Sequence, residues 1–136
     1  MLQKTYRFSY KNATGVAFGA TDDVVIKARR WNFNSSGAFT PESAEAILTT
    51  AGAGNSLANN GWINCITQDN TTVGWFGGEF LVTATVSTAT PNGNVEIWMD
   101  FSTDGGTTWN DNGSSRFITA LKFTVTGTQH KSFELD

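Results

Sequence analysis

The sequence predicts an all-β fold, an antiparallel β-sandwich of about seven to nine strands with jelly-roll or immunoglobulin-like topology. Three observations predict it. Apolar and polar residues alternate with period two in run after run. The runs are separated by Gly, Asn, Ser and Thr turn chemistry, with 14 Gly and only 2 Pro in 136 residues. No helical pattern alternates with the strands, which argues against a parallel α/β sheet. The length suits one domain over residues 1–136 with a single core. Without an internal repeat, a propeller or solenoid is unsupported.

The elements follow in order. Residues 5–11 place Tyr6, Phe8 and Tyr10 on one face and Arg7 and Ser9 on the other, and Asn12-Ala13-Thr14-Gly15 then turns the chain. Residues 24–33 carry Val24, Ile26 and Ala28 on one side and Val25, Trp31 and Phe33 on the other, so both faces of that strand should meet something. Asn34-Ser35-Ser36-Gly37 is a loop. Residues 39–50 admit two readings. Thr40-Pro41-Glu42 has the form of an N-cap followed by Pro at the first helical position, and the Ala/Glu-rich continuation to Leu48 suits two helical turns. A strand through Ala46, Ile47, Leu48 and Thr49 fits almost as well. Residues 51–61 form a long irregular loop and 62–67 a short strand. The glycines of Val73-Gly74-Trp75-Phe76-Gly77-Gly78 mark a bulge or a close backbone approach. Residues 79–88 set Phe80, Val82, Ala84 and Val86 against Glu79, Leu81, Thr83, Thr85 and Ser87, one core face and one mostly Thr-covered face. After the turn Pro91-Asn92-Gly93, residues 94–102 put Val95, Ile97, Met99 and Phe101 opposite Glu96, Trp98 and Asp100. Residues 116–126 and 131–136 complete the pattern, with Gly127 marking a hairpin between them.

Nine Lys+Arg against 12 Asp+Glu leave a net charge of -3, so no positive field is available for a phosphate backbone and nucleic acid is not expected as a partner. The only concentrated base is Lys27, Arg29 and Arg30. Alternation puts Lys27 and Arg29 on one face and Arg30 on the other, a solvated or interface-facing strand surface. Cys65, the single cysteine, cannot form an intramolecular disulfide and reads as a small buried hydrophobe. Neither a signal peptide nor a membrane span is expected. The triplets Asn12-Ala13-Thr14 and Asn70-Thr71-Thr72 fit the glycosylation pattern, but an Asn- and Thr-rich chain produces these by chance.

The sharpest local pattern is Ser102-Thr103-Asp104-Gly105-Gly106-Thr107-Thr108-Trp109. It resembles the Asp-box of sialidases and related β-propellers, Ser-x-Asp-x-Gly-x-x-Trp, at Ser102, Asp104, Gly106 and Trp109. The spacing has a local reason: Asp accepts from turn amides, Gly takes a positive φ, and Trp packs back across the hairpin. The resemblance implies a folding device on a surface hairpin, away from any catalysis.

Catalytic and metal constellations are weak. His130, the only histidine, has no neighbouring nucleophile with a supporting acid and reads as a surface residue. Glu79, Glu96, Asp100 and Asp104 are the carboxylates a glycosidase pair would draw on, yet scattered surface acids are the default. Asp104, Asn110, Asp111 and Asn112, with Asp22-Asp23, offer hard oxygen ligands to Ca²⁺ but lack EF-hand spacing. Gly77-Gly78 and Gly105-Gly106 lack a phosphate-loop context. The expectation is a non-enzyme with no catalytic residue, cofactor or metal.

Five Trp and ten Phe exceed what the centre of one sandwich holds, so Trp31, Trp62, Trp75 and Trp98 are candidates for exposure. They serve as staples, as a sugar-stacking platform, or as anchors of a protein interface. A short acidic sandwich with an aromatic first strand, Thr/Asn/Gly-rich strands and a late Ser-Thr-Asp-Gly-Gly-Thr-Thr-Trp hairpin resembles small virion structural proteins of tailed bacteriophages. That resemblance implies a non-enzymatic protein located in the virion, most specifically a capsid decoration or cement protein. Its partners would be copies of itself, as a homo-oligomer, and major capsid or tail proteins, without nucleic acid or membrane. Lys27, Arg29, Arg30, Trp31, Trp75 and Trp98 are the candidate interface, the basic set pairing with acidic partner surface. The rival is a carbohydrate-binding or host-receptor-binding module of a tail or fibre, which needs two or three coplanar exposed aromatics flanked by Asn and Asp. A weaker rival is a small glycan hydrolase, which needs a carboxylate pair in a cleft.

Overall fold

The computed structural model describes residues 2–110, 115–123 and 126–136. In chain order its strands are β1 (Thr5–Ala13), β2 (Asp23–Phe33), β3 (Phe39–Pro41), β4 (Ala46–Ile47), β5 (Trp62–Asn64), β6 (Gln68–Asp69), β7 (Gly77–Val86), β8 (Gly93–Ser102), β9 (Arg116–Phe123) and β10 (Gly127–Leu135). They form two antiparallel sheets packed as a sandwich. The first has the order β5-β1-β8-β9, with β6 also on β1; the second has the order β10-β7-β2-β3, with β4 also on β2. The ten strands exceed the expected range by one, the two-residue β6 being too short for periodicity to register, while β4 keeps Ala46 and Ile47 of the alternative strand reading of residues 46–49.

On β1, β2, β7 and β8 the inner faces are those that alternation assigns, whereas on β9 a register shift beside Ile97 and Trp98 turns Phe117 outward from the face that Thr119, Leu121 and Phe123 keep toward the core. Tyr6, Phe8 and Tyr10 of β1, Val24, Ile26 and Ala28 of β2, Phe80 to Val86 of β7 at every second residue, and Val95, Ile97 and Met99 of β8 are all buried. Phe8 joins the sheets, its ring 5.1 Å from Phe80 and 5.8 Å from Phe133, while Phe80 and Phe133 stack at 5.2 Å. Such aromatic pairs add about 0.5–1.5 kcal/mol each beyond the area they bury. Phe101 shares the inward register of β8 opposite the buried Tyr6, but the ladder with β9 ends at Met99, which among the described residues leaves its other flank without a strand, and it remains 39% exposed.

Two expectations are corrected. Residues 40–48 are not helical: β3 and β4 lie along β2, because the Glu42 amide donates to the Arg30 carbonyl at 2.6 Å and its carboxylate takes the Arg30 side chain. Those tertiary contacts outweigh the cap and the Ala content. Residues 116–126 and 131–136 do not form a hairpin. β9 pairs with β8 in one sheet, and β10, which begins at Gly127, pairs with β7 in the other. A glycine turn signal is the same for a hairpin and for a crossover between sheets. Thr124 and Val125 of the expected strand lie outside the described residues.

The loop of residues 51–61 is irregular, as expected, and is tied down. Asp23 accepts from the Gly52 and Gly54 amides at 2.7 and 3.0 Å, and the Asn12 amide donates to the Val16, Leu57 and Ala58 carbonyls. Asn12 and Asn70 are both buried with their side-chain nitrogens engaged, so neither glycosylation triplet presents its acceptor. Gly77-Gly78 is a close approach. A Cβ on Gly77 would clash with the Leu135 carbonyl oxygen and sit 2.7 Å from the Trp31 indole, so only glycine lets both approach β7.

Candidate functional site: the outer face of the second sheet

The strands of the second sheet stack their outward residues in cross-strand rows. Phe39 stands opposite Phe33, then Pro41 opposite Trp31, then Arg29, Glu79 and Glu134 in one row, then Ile47, Lys27, Leu81 and Ser132, then Val25, Thr83 and His130. One end of this face is therefore aromatic, the middle charged, and the far end polar.

At the aromatic end three phenylalanines are exposed, Phe39 at 59%, Phe33 at 49% and Phe76 at 42%. Phe33 meets Phe76 at 5.4 Å and Phe39 at 6.4 Å, and Phe39 meets Trp31 at 6.1 Å. The Phe76 amide donates to the Trp31 carbonyl at 2.8 Å, which fixes the loop before β7 against the end of β2. Interplanar angles of 72° and 79° make the phenylalanine contacts edge-to-face rather than a coplanar platform.

A cleft of about 560 Å³ covers the charged middle, lined by Lys27, Arg29, Glu45, Glu79, Leu81 and Glu134 among others. A neighbouring cavity of about 280 Å³ continues it toward Trp31, Phe39 and Pro41. Lys27 pairs with Glu45 at 3.0 Å. Arg29 shares its row with two carboxylates.

The residues proposed from sequence are thus divided. Lys27, Arg29 and Trp31 lie on this face. Arg30 turns inward, as alternation requires, and is buried. Its guanidinium donates to both Glu42 carboxylate oxygens at 3.0 and 2.6 Å, to Gln68 at 2.9 Å and to the Tyr6 hydroxyl at 3.3 Å. Trp75 lies over that guanidinium at 5.5 Å, half-buried. Burial alone would push the Glu42 carboxyl up, but hydrogen bonds from the Arg30 side chain and amide, with its positive charge, hold it below the usual range. Trp98 is on the outer face of the first sheet, between Trp62 at 5.7 Å and Phe117 at 5.1 Å, and donates to Glu96 at 3.1 Å. Those rings too are tilted against one another, by 58° and 75°.

The hairpin motif behaves as its spacing predicts. Asp104 accepts from the Ser102 hydroxyl and from the Thr107 and Thr108 amides, Gly105 and Gly106 take φ of 73° and 97°, and the Trp109 indole donates to the Gly106 carbonyl at 2.9 Å. These donors, the Thr108 amide first, lower the Asp104 carboxyl to about 2. Trp109 caps Arg7 at 4.2 Å, and Arg7 pairs at 3.0 Å with the buried Asp100, which also accepts from Ser9 and Ser115. The loop so seals one end of the first sheet's outer face.

The carboxylates considered for catalysis are dispersed: Asp100 and Asp104 serve these structural networks, Glu96 holds Trp98, and Glu79 faces Glu134 instead. His130 Nδ1 lies 3.0 Å from the Thr83 hydroxyl on the exposed face. Among the described residues no three His, Cys, Asp or Glu come together to hold a metal. Asp111 and Asn112 of the considered Ca²⁺ set lie outside those residues; Asp22 and Asp23 bind backbone amides. Cys65 is buried and unpaired, and burial pushes its thiol up to about 12.

Sequence set Phe33 with Trp31 on a face expected to meet something but not among the interface residues, and it did not single out Phe39, Phe76 or Glu134. A signal existed for two of them: Phe33 and Phe39 flank the Asn34-Ser35-Ser36-Gly37 turn, and a tight hairpin there sets them opposite one another.

No protein-family model matches the chain, and no curated protein matches it. A solved structure of a DUF4425 family protein from Bacteroides ovatus aligns over 98% of this chain and 95% of that one, at 12% identity and a TM-score of 0.35, a likeness too low to bear on function.

Proposed function

We propose that this chain is a non-enzymatic structural module that docks on a protein lattice through the outer face of its second sheet. The observation that carries the reading is the exposed cluster of Phe33, Phe39 and Phe76 beside Trp31, at the end of a sheet. Together the three rings leave roughly 300 Å² of aromatic surface in water, taking about 200 Å² per side chain. That is about the size of the largest apolar patch on a typical monomer, which is often a functional one. Covering it gains about 7 kcal/mol at 25 cal/mol per Å², which is within the range that association itself costs. A single copy therefore binds weakly, and only copies joined to one another, as in the expected homo-oligomer, would bind a symmetric shell through avidity. What supports placing the lattice in a phage virion, as a capsid decoration protein, is the sequence resemblance given above. The tilt of the rings in both aromatic clusters favours protein over the flat stacking of a sugar-binding module.

The test is sedimentation velocity of the purified chain with mature particles of the encoding phage. Wild type should co-sediment stoichiometrically, and the double variant F33S/F39S should remain at the top. A wild-type monomer that ignores the particles, yet binds on a glycan array, would replace this reading with the carbohydrate-binding one.

A further inference from the structure

We infer that the cleft beside the aromatic cluster receives a cationic side chain, an arginine, from the docked partner. The inference rests on the docking reading and adds the chemistry of what is docked.

Glu79 of β7 and Glu134 of β10 are directly opposite in register, both exposed, and both line the cleft and the cavity that continues it. Like charges facing each other across a strand pair destabilise the sheet. The chain does not resolve that conflict internally. Among the described residues neither carboxylate has an ion pair within 4 Å, and Arg29, next in the row, faces Glu79 but stands a strand further from Glu134. The other bases once grouped with Arg29 are already engaged, Lys27 by Glu45 and Arg30 by Glu42. The cleft lining thus sets three carboxylates, Glu45, Glu79 and Glu134, against Lys27 and Arg29, and in the continuing cavity, where Arg29 and Arg30 also line the wall, Arg30 is already paired with Glu42, so one negative charge is left over and the expected pairing of the basic set with acidic partner surface reverses sign.

Shape selects among cations. Trp31, Phe39 and Pro41 wall the cavity on the side away from Glu134. A planar guanidinium can lie against an aromatic face while its fork of donors spans two carboxylates, whereas an ammonium is a compact, strongly hydrated point charge. A neutral sugar hydroxyl would leave the repulsion between Glu79 and Glu134 in place.

The experiment has two arms. In the first, the full ¹⁵N-labelled chain is titrated with acetyl-Gly-Arg-Gly-amide, with the citrulline peptide as its neutral isostere, and with maltotriose. The arginine peptide should shift the amides of Glu79, Leu81 and Glu134 and the Trp31 indole. The citrulline peptide should not, and Glu134→Gln should weaken the arginine peptide about fivefold. Shifts from maltotriose alone, equal shifts from both peptides, or no shifts would overturn the inference. In the second arm, Glu79→Gln/Glu134→Gln, folded by the same spectrum, is sedimented with particles beside F33S/F39S. Loss of particle binding in both supports the arginine contact. Loss only in F33S/F39S overturns it and leaves the docking reading standing, and loss in neither overturns the docking reading itself.

Discussion

Replacing Glu42 with Gln should remove about 2–3 kcal/mol of stability at pH 7. Arg30 sits at an inward position of β2 with its side chain 11% exposed, and Glu42 is 15% exposed and takes both ends of the guanidinium fork. Breaking a fully buried pair by removing one partner costs about 3–5 kcal/mol, because the other charge is left without compensation. The residual exposure here, and the hydrogen bonds that Gln68 and Tyr6 still accept, bring the figure to the bottom of that range and below it, about 2–3 kcal/mol. At this chain length about 3 °C of midpoint is lost per kcal/mol, so the thermal transition should fall by about 6–9 °C. Urea unfolding followed by tryptophan fluorescence measures the loss, with Trp75 against the guanidinium as a local reporter. The sign with pH follows from the lowered carboxyl. A group whose folded pKa is depressed stabilises the fold above its unfolded value, 4.5 for this Glu, and that contribution is lost as pH falls through the folded value. The gap between wild type and Glu42→Gln should accordingly close below pH 4. Arg30→Met/Glu42→Leu, which removes both charges, should cost less than Glu42→Gln alone. A Glu42→Gln protein within about 0.5 kcal/mol of wild type, or a gap independent of pH, would refute the reasoning.

Three further outcomes are expected. Asp104→Ala should speed amide exchange at Thr107 and Thr108 by about tenfold while leaving the global unfolding midpoint nearly unmoved, and in wild type those amide shifts should titrate with a midpoint of about 2. Cys65, buried with its thiol raised to about 12, should resist a thiol reagent at pH 8 in the native protein and react at once in denaturant. Lys131, at an inward register on the edge strand β10, reaches the Ala120 carbonyl at 3.2 Å and keeps a charge where another chain's strand would pair. Lys131→Val should sediment as a larger species than wild type at equal concentration.

Where alternation is strong and both neighbours are long strands, the residues alone specify the structure: Tyr6, Phe8 and Tyr10, or Val24, Ile26 and Ala28, are buried because no other register hides them. The hairpin of Ser102 to Trp109 was equally legible, since its hydrogen bonds are local. Residues 40–48 were not, because the decision between helix and strand was made by Arg30, ten or more residues away in sequence. The pairing of β10 with β7 rather than β9 was hidden for the same reason. The face proposed for docking was half legible. Lys27, Arg29 and Trp31 share it by simple alternation, whereas the position of Phe76 and the juxtaposition of Glu79 with Glu134 depend on which strands become neighbours.

The two outer faces differ in a way that bears on the kind of assembly. On the first sheet Trp109 covers Arg7 and Asp100, and Trp98 is anchored to Glu96 and wedged between Trp62 and Phe117, so only Phe117 among those rings is largely exposed. On the second sheet three phenylalanines and a charged cleft are open to solvent. A module with complementary adhesive patches on two faces propagates into a filament unless its rotation closes a ring. A module with one adhesive face stops after a single layer. Under the docking proposal, this asymmetry fits decoration of a pre-existing lattice better than construction of a tube or fibre, and the proposal then requires that substitutions of Phe117 leave particle binding intact where those of Phe33 and Phe39 abolish it.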